Sequence, residues 1–515
     1  MAWSRRTFLR NSALAGAGLS VGCPSEELPV GGGGSGPWGS AADSTQAAAF
    51  LPSGSAPEGV LELFLWGGMN ALDTFHVIPE HGDPAAGGDP RGWWVFQDGE
   101  NGIPEVFARC GGGDRPLLEP WTTDSAGRTV HLGPFIHPFR ERPDLLARTR
   151  SLVMRHDAAP HQVAVPLALG GHVKGNPRLT GFGAHVERFF QARASGPREA
   201  PYAWVLVPDR VDVDQHNTDA AVAVGAHSAS ARPMALRIGE QSRLVDLLAR
   251  SNLRERTADV DAALSHYLAR YRAGFSGPGG GQVRAPALGE YEAALSGLRR
   301  ADALRGILPP ELLEVTGGER CQDPSDLDLT TTQLRLAAHL LTRFAEPAKY
   351  VCMIDGGLHP TTAGAVYDTH TGHVVESARN LIHVFDRLVG LINEPGENDP
   401  DKLDLDRHQV IITTEFGRSP HPQNGDGLNH WPWGYVQLVL GGWADEDRSG
   451  VIGSIPESAY ADDWISPSEF RAGMLLGMGI WPFNKEGFGV GDTRVDGTEA
   501  DAAHWLRERV LGYPS

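Results

Sequence analysis

The 515-residue chain has only four cysteines, and none stands in a CxxC or a Cys/His cluster with zinc-finger spacing. A thiolate-based zinc module is therefore excluded. No run of eighteen apolar residues occurs, so no segment reads as a membrane span. Positive charge is also short: 45 Lys and Arg stand against 64 Asp and Glu, a formal net charge of -19. A protein that grips phosphate backbones needs a basic footprint, so a nucleic-acid partner is excluded. What is plentiful is glycine (64) and proline (37), which predicts long connecting loops. Hydrophobic residues at 41% and charged residues at 21% describe an ordinary globular chain.

The start of the chain reads as an export signal. Ser4-Arg5-Arg6-Thr7-Phe8-Leu9-Arg10 pairs two arginines before an apolar residue, and a short apolar stretch, 12–22, follows. Residues 1–23 form this twin-arginine segment, which implies a periplasmic or cell-envelope location. Val21-Gly22-Cys23 resembles a lipoprotein processing site, with Ser20 where Leu is usual. A lipid anchor on Cys23 and plain signal cleavage both remain open, and such an anchor is the one membrane contact expected. Residues 24–58, rich in Gly, Ser and Pro, read as a linker. Of the other three cysteines, Cys110, Cys321 and Cys352, an oxidising compartment permits one disulfide and leaves one thiol over; sequence does not pair them. Cys352, in an apolar run, reads as a buried small hydrophobe.

Residues 59–515 read as one α/β domain. Apolar runs predict strands over 60–66, 151–155, 203–207, 350–354, 410–414 and 435–440. Helical spacing predicts helices over 330–346, 374–393, 468–480 and 501–511. The alternation of helix and strand in the C-terminal half predicts a mostly parallel sheet with helices on both faces, a doubly wound arrangement. Residues 76–145 read as loop-rich, and a helical insertion is expected around 240–306.

Ligand sites of open α/β sheets lie just past the carboxyl ends of strands. The strand over 410–414 ends in Glu415-Phe416-Gly417-Arg418 and is followed, a loop later, by His430-Trp431. The strand over 350–354 leads to a loop carrying Asp368, His370 and His373. The first strand ends in Gly67-Gly68-Met69-Asn70. Carboxylate and imidazole side chains in such loops suit zinc or manganese. The plainer alternative is a salt-bridged Glu415–Arg418 turn, an Asn70 cap and incidental histidines. His156, His161 and His172 stand near one strand end, in a stretch expected to be loop, and together could line a site, but singly each reads as a surface group.

Several motifs together resemble the bacterial "domain of unknown function 1501" family. They are the twin-arginine start, Phe64-Leu65-Trp66-Gly67-Gly68-Met69-Asn70-Ala71-Leu72, Tyr367-Asp368-Thr369-His370, Thr413-Thr414-Glu415-Phe416-Gly417-Arg418 and Asn429-His430-Trp431-Pro432. That family is related to the alkaline phosphatase and sulfatase superfamily. The resemblance implies an alkaline-phosphatase-like fold and hydrolysis of phosphate or sulfate esters, of small molecules or glycans. It implies a divalent metal (zinc, manganese or calcium) on Asp368, His370, Glu415 and His430. Arg418 is then expected to bind the anionic group, and Asn70 to position substrate or water. Two departures stand out. Asn70 replaces the family's usual Asp, and Glu415-Phe416-Gly417 stands where active phosphatases have Asp-His-Gly, leaving one imidazole short. With no evident nucleophile (Thr74 is the nearest hydroxyl), direct attack by water is expected. The alternative is a non-catalytic binding or assembly protein that keeps the fold.

Overall fold

A computed structural model describes residues 46–97, 103–173, 327–343, 347–358, 367–423, 425–484 and 487–514, with short pieces between 181 and 317. The export segment, Cys23, Cys321 and nearly all of the expected 240–306 insertion lie outside the described residues. No helix among the described residues is long and apolar enough to cross a membrane.

The centre of the fold is an eight-stranded sheet. Its strands are β1 (Gly59–Leu65), β2 (Thr149–Met154), β3 (Trp204–Val207), β4 (Met234–Ala235), β5 (Tyr350–Asp355), β6 (His408–Thr413), β9 (Tyr435–Gly441) and β10 (Gly450–Ile452); β7 (Gly417–Arg418) and β8 (His430–Trp431) form a separate hairpin. The spatial order is β10-β2-β9-β6-β1-β5-β3-β4. β1 pairs in parallel with β6 and β5, and β3 in parallel with β5 and β4. β9 pairs antiparallel with both β6 and β2, so β2 points the same way as β6. The expected mostly parallel sheet is present, with β9 as its reversed strand among the described residues.

Both faces of the sheet are covered, and β1 shows how the sequence dictates this. Its residues are all buried, and alternate side chains face opposite layers. Leu61, Leu63 and Leu65 join the core under helices α2 (Leu329–Thr342) and α3 (His373–Gly390). Val60 and Phe64 join the core under α1 (His161–Gly170), α4 (Pro467–Gly477) and α5 (Glu499–Arg509). A strand buried on both faces has no polar alternation, and the near-continuous apolar runs have this cause. The exception is Glu62, wholly buried in mid-strand. It is held by both terminal nitrogens of Arg471 at 2.6 Å.

Two local expectations are corrected. Residues 161–170, expected as loop, form α1. The segment is apolar all round and carries Pro166, so it shows no amphipathic period. The segment expected as linker up to residue 58 is packed at its end: Ala47 is fully buried, and Phe50 and Leu51 lie against the core. Cys110 is disulfide-bonded, with its partner outside the described residues, and Cys352 is a free, buried thiol.

Candidate metal centre

The parallel strands deliver their following loops to one edge of the sheet. β1 delivers Gly67 and Asn70, β2 delivers His156 and His161, β5 delivers Asp368 and His370, and β6 delivers Glu415. β9 runs backwards, so the residues that precede it, including His430, start from the same edge. The C-terminal strand edge therefore gathers side chains from five segments far apart in sequence.

Short-range structure then aims each one. In the β7–β8 hairpin Arg418 pairs with His430 and Gly417 with Trp431. Directly paired antiparallel residues project to the same face, so Arg418 and His430 point together towards Asp368. The Arg418 guanidinium bonds the Asp368 carboxylate and the Gly67 carbonyl. Asp355, at the end of β5, accepts the Tyr367 hydroxyl at 2.7 Å and so fixes the residue before Asp368. Gly67 has φ +115°, and a Cβ there would lie 2.4 Å from the Asp368 nitrogen. Only glycine lets the end of β1 come this close.

At the centre three acceptor groups converge. His430 Nε2 is 3.0 Å from Asp368 Oδ1, and His161 Nε2 is 3.4 Å from Asp368 Oδ2. His161, Asp368 and His430 each offer a ligand atom within 4.8 Å of the others. The far nitrogens set the tautomers. His161 Nδ1 lies 2.8 Å from Glu415 Oε1, and His430 Nδ1 lies 2.8 Å from the Ala159 carbonyl. Both partners only accept, so each Nδ1 carries the proton and donates it. In the neutral rings both Nε2 lone pairs then face a carboxylate. Three acceptors in contact need a proton or a cation between them, and the donor set fits a divalent metal. Acceptors behind the imidazoles are the usual outer support of metal-bound histidine.

Aromatic packing fixes the rings. Trp66 stacks on His161 with centroids 4.4 Å apart, and Phe416 stacks on His430 at 4.2 Å. Without a metal, burial works against a charge on His161, but the hydrogen bonds to Asp368 and Glu415 outweigh it and raise its pKa to about 9, so a proton on Nε2 then bridges to Asp368 and a bound metal would take that proton's place. Burial likewise opposes ionisation of Asp368. His161, His430 and Arg418 override this and hold the carboxyl well below the usual carboxylate range.

The residues expected from sequence separate into three groups. Asp368 and His430 stand at the centre. His370 stands beside them, its Nε2 3.1 Å from both Asp368 Oδ1 and His430 Nε2, with 43% of its side chain exposed. Glu415, expected as a direct ligand, sits one layer back: its Oε1 takes the His161 proton and the Gly67 N–H. Arg418, expected to meet an anionic substrate, is fully buried and turned onto Asp368. Asn70 lies apart. Its Oδ1 accepts the Leu72 N–H at 3.1 Å, and its Nδ2 donates to Asp73 Oδ2 at 2.9 Å, as a helix cap does. His373 also faces away, its Nε2 2.8 Å from Asp73 Oδ2.

His161 is the residue that sequence reading missed as a site group. It enters the cluster from the first turn of α1. The signal available was its place shortly after the C-terminal end of β2.

The site is thus a His–carboxylate cluster at the carboxyl edge of a mostly parallel α/β sheet. Residues 359–500 match the model of a family described as a protein of unknown function (DUF1501). The matched segment carries Asp368, His370, Glu415, Arg418 and His430, while His161 and Asn70 lie outside it. No curated protein matches the chain.

Proposed function

We propose that this protein is an exported, metal-dependent hydrolase of phosphate or sulfate esters, with a fold of the alkaline phosphatase and sulfatase type. The observation that carries the reading is the convergence of His161 Nε2, His430 Nε2 and an Asp368 oxygen, each backed by a fixed partner. Support for the fold comes from the largely parallel sheet covered on both faces and from the position of the cluster on its carboxyl edge. The twin-arginine start supports export. Two imidazoles and one carboxylate favour zinc or manganese over calcium, which takes oxygen ligands.

A divalent ion there would supply Lewis acidity to acidify water and polarise the ester. The chain's own residues do the rest. His161, Asp368 and His430 would hold the ion. Glu415 keeps His161 in the tautomer that frees Nε2. Arg418 positions Asp368 and offsets its charge from behind. His370, beside the cluster and open to solvent, takes up and returns a proton near the reacting group. Thr74 donates to the Asn70 carbonyl at 2.6 Å and Thr414 to the Leu65 carbonyl at 2.9 Å, while Thr369 lies 2.7 Å from His373 Nδ1. The engagement of Thr74 and Thr414 with backbone supports water as the attacking group.

A second reading, a binding protein without catalysis, draws on the same commitment of Asn70 and Arg418 to structural partners. Turnover of aryl phosphate or aryl sulfate by the metal-loaded protein, lost in His430→Ala, supports the hydrolase. Metal binding without any ester turnover supports the second reading.

A further inference from the structure

Beside the His–carboxylate cluster the surface carries two adjoining hollows, of about 440 Å³ and 580 Å³. They share Ser419, His421 and Trp431 as a common wall. The first is lined by His430 of the cluster and by Pro160, the neighbour of His161, so the trench abuts the cluster on its His430 side. From there it runs to Glu457 and Tyr460.

Its most distinctive wall is aromatic. Trp431 packs edge-on against Trp433 at 5.0 Å and against Tyr460 at 4.8 Å, and Trp433 lies 5.4 Å from Tyr460. Both indoles are half-buried, while Tyr460 is 42% exposed. The backbone bolts the three rings together. The Ala459 carbonyl accepts the Trp431 indole N–H at 2.7 Å, and the Ala461 N–H donates to the Trp433 carbonyl at 2.8 Å. Between these two bonds Ala459 adopts φ +59°, the one positive φ outside glycine among the described residues. Such a conformation is disfavoured for an L-residue and persists where the surroundings enforce it, commonly at a functional site. Here it holds an exposed tyrosine ring beside two tryptophans.

We infer that this trench is a saccharide subsite, so that the ester hydrolysed at the cluster is carried on a sugar. The inference rests on the hydrolase reading for the word "ester" and on the trench alone for the word "sugar". A pyranose has an apolar C–H face and a rim of hydroxyls. It needs a rigid aromatic shelf with donors and acceptors around it. Trp431, Trp433 and Tyr460 provide the shelf across the two hollows, and Gln423 and Asn429 line the first of them. A polyanion is disfavoured at the far end. Asp89 and Glu457 line it, and Arg91 there is already bound to Asp89 at 2.8 Å. The charged ester group therefore belongs at the His430 end and the neutral sugar on the shelf.

The test uses the mature chain, residues 24–515. It is applied to an array of cellulose-, xylan-, mannan-, galactan-, chitin- and glycosaminoglycan-derived oligosaccharides, with lipid vesicles and a peptide library beside it. The strongest saccharide ligand is then titrated by calorimetry against wild type, Trp433→Ala and Tyr460→Ala. The expected result is saccharide binding that weakens roughly tenfold or more in each variant. Thermal melting and metal content stay as in wild type. Tyr460→Ala removes an exposed ring, so it keeps the test valid if Trp433→Ala fails to fold. No binding across the saccharide array, preference for vesicles or peptides, or affinity unchanged in both variants overturns the proposal. Metal content and aryl-ester turnover are read on the same samples. Saccharide binding by a metal-free protein defeats the hydrolase and leaves the trench. Aryl-ester turnover without saccharide binding does the reverse.

Discussion

Glu415 Oε1 and His161 Nδ1 are 2.8 Å apart, although 254 positions separate them in the chain. Glu415 also accepts the Gly67 N–H at 2.8 Å, so one buried carboxylate ties the ends of β1 and β6 to the start of α1. This pair decides which nitrogen of His161 is free. Glu415→Gln replaces the carboxylate with an amide whose orientation no longer enforces the tautomer. Metal affinity is expected to fall by about 10–100-fold with the fold retained. Competition titration with a chromophoric chelator measures it, and unchanged affinity would place Glu415 outside the metal centre.

His370 stands next to the converging atoms but is the most exposed of the imidazoles. His370→Gln is expected to keep the metal, because His161, Asp368 and His430 remain. Turnover is expected to drop by about 100-fold or more, as for loss of a proton-transfer group. Loss of metal together with turnover would make His370 a ligand.

Asn70 caps the turn after β1, its Oδ1 accepting the Leu72 N–H and its Nδ2 donating to Asp73. Asn70→Ala removes the bonds to Leu72 and Asp73 and is expected to cost about 1 kcal/mol of stability. Metal content and turnover of the folded enzyme are expected to be unchanged. Denaturant melts and metal analysis on one preparation separate the two effects, and a loss of activity at full metal content would contradict this assignment.

His76 is buried, and burial pushes its pKa down to about 4 from 6.5. The folded state thus holds the ring neutral while the unfolded chain protonates it. The stabilising contribution of the neutral ring is complete above the unfolded value and is lost as pH falls through the folded one. Between pH 7 and pH 4 the wild type is expected to lose on the order of 3 kcal/mol more than His76→Leu. Parallel pH–stability curves from urea melts test this; superimposable acid limbs would refute it.

Much of the fold was legible because the sheet is buried on both faces. The apolar runs that became β1, β5, β6 and β9 have no polar alternation to hide them, and α3 presents a clear buried stripe. α1 was not legible, because a helix buried on every side from Ala164 to Gly170, with Pro166 inside it, shows neither period nor cap. The site was legible in part for a related reason. Asp368, His370, Glu415 and His430 follow strands whose ends could be read, so their common edge could be expected. The role of each could not. Whether a carboxylate meets the centre directly or through an imidazole depends on hairpin register and ring stacking, as Arg418 opposite His430 and Phe416 on His430 show. His161 was hidden twice, behind a reversed β9 that lies between β2 and β6 and within a helix read as loop.

The most direct test of the metal centre is elemental mass spectrometry on the purified mature protein, residues 24–515, beside a His161→Ala, His430→Ala double variant. The account predicts near-stoichiometric zinc or manganese in the wild type and its loss in the folded variant. Wild-type protein that is metal-free, and stays so after incubation with these ions, would contradict it.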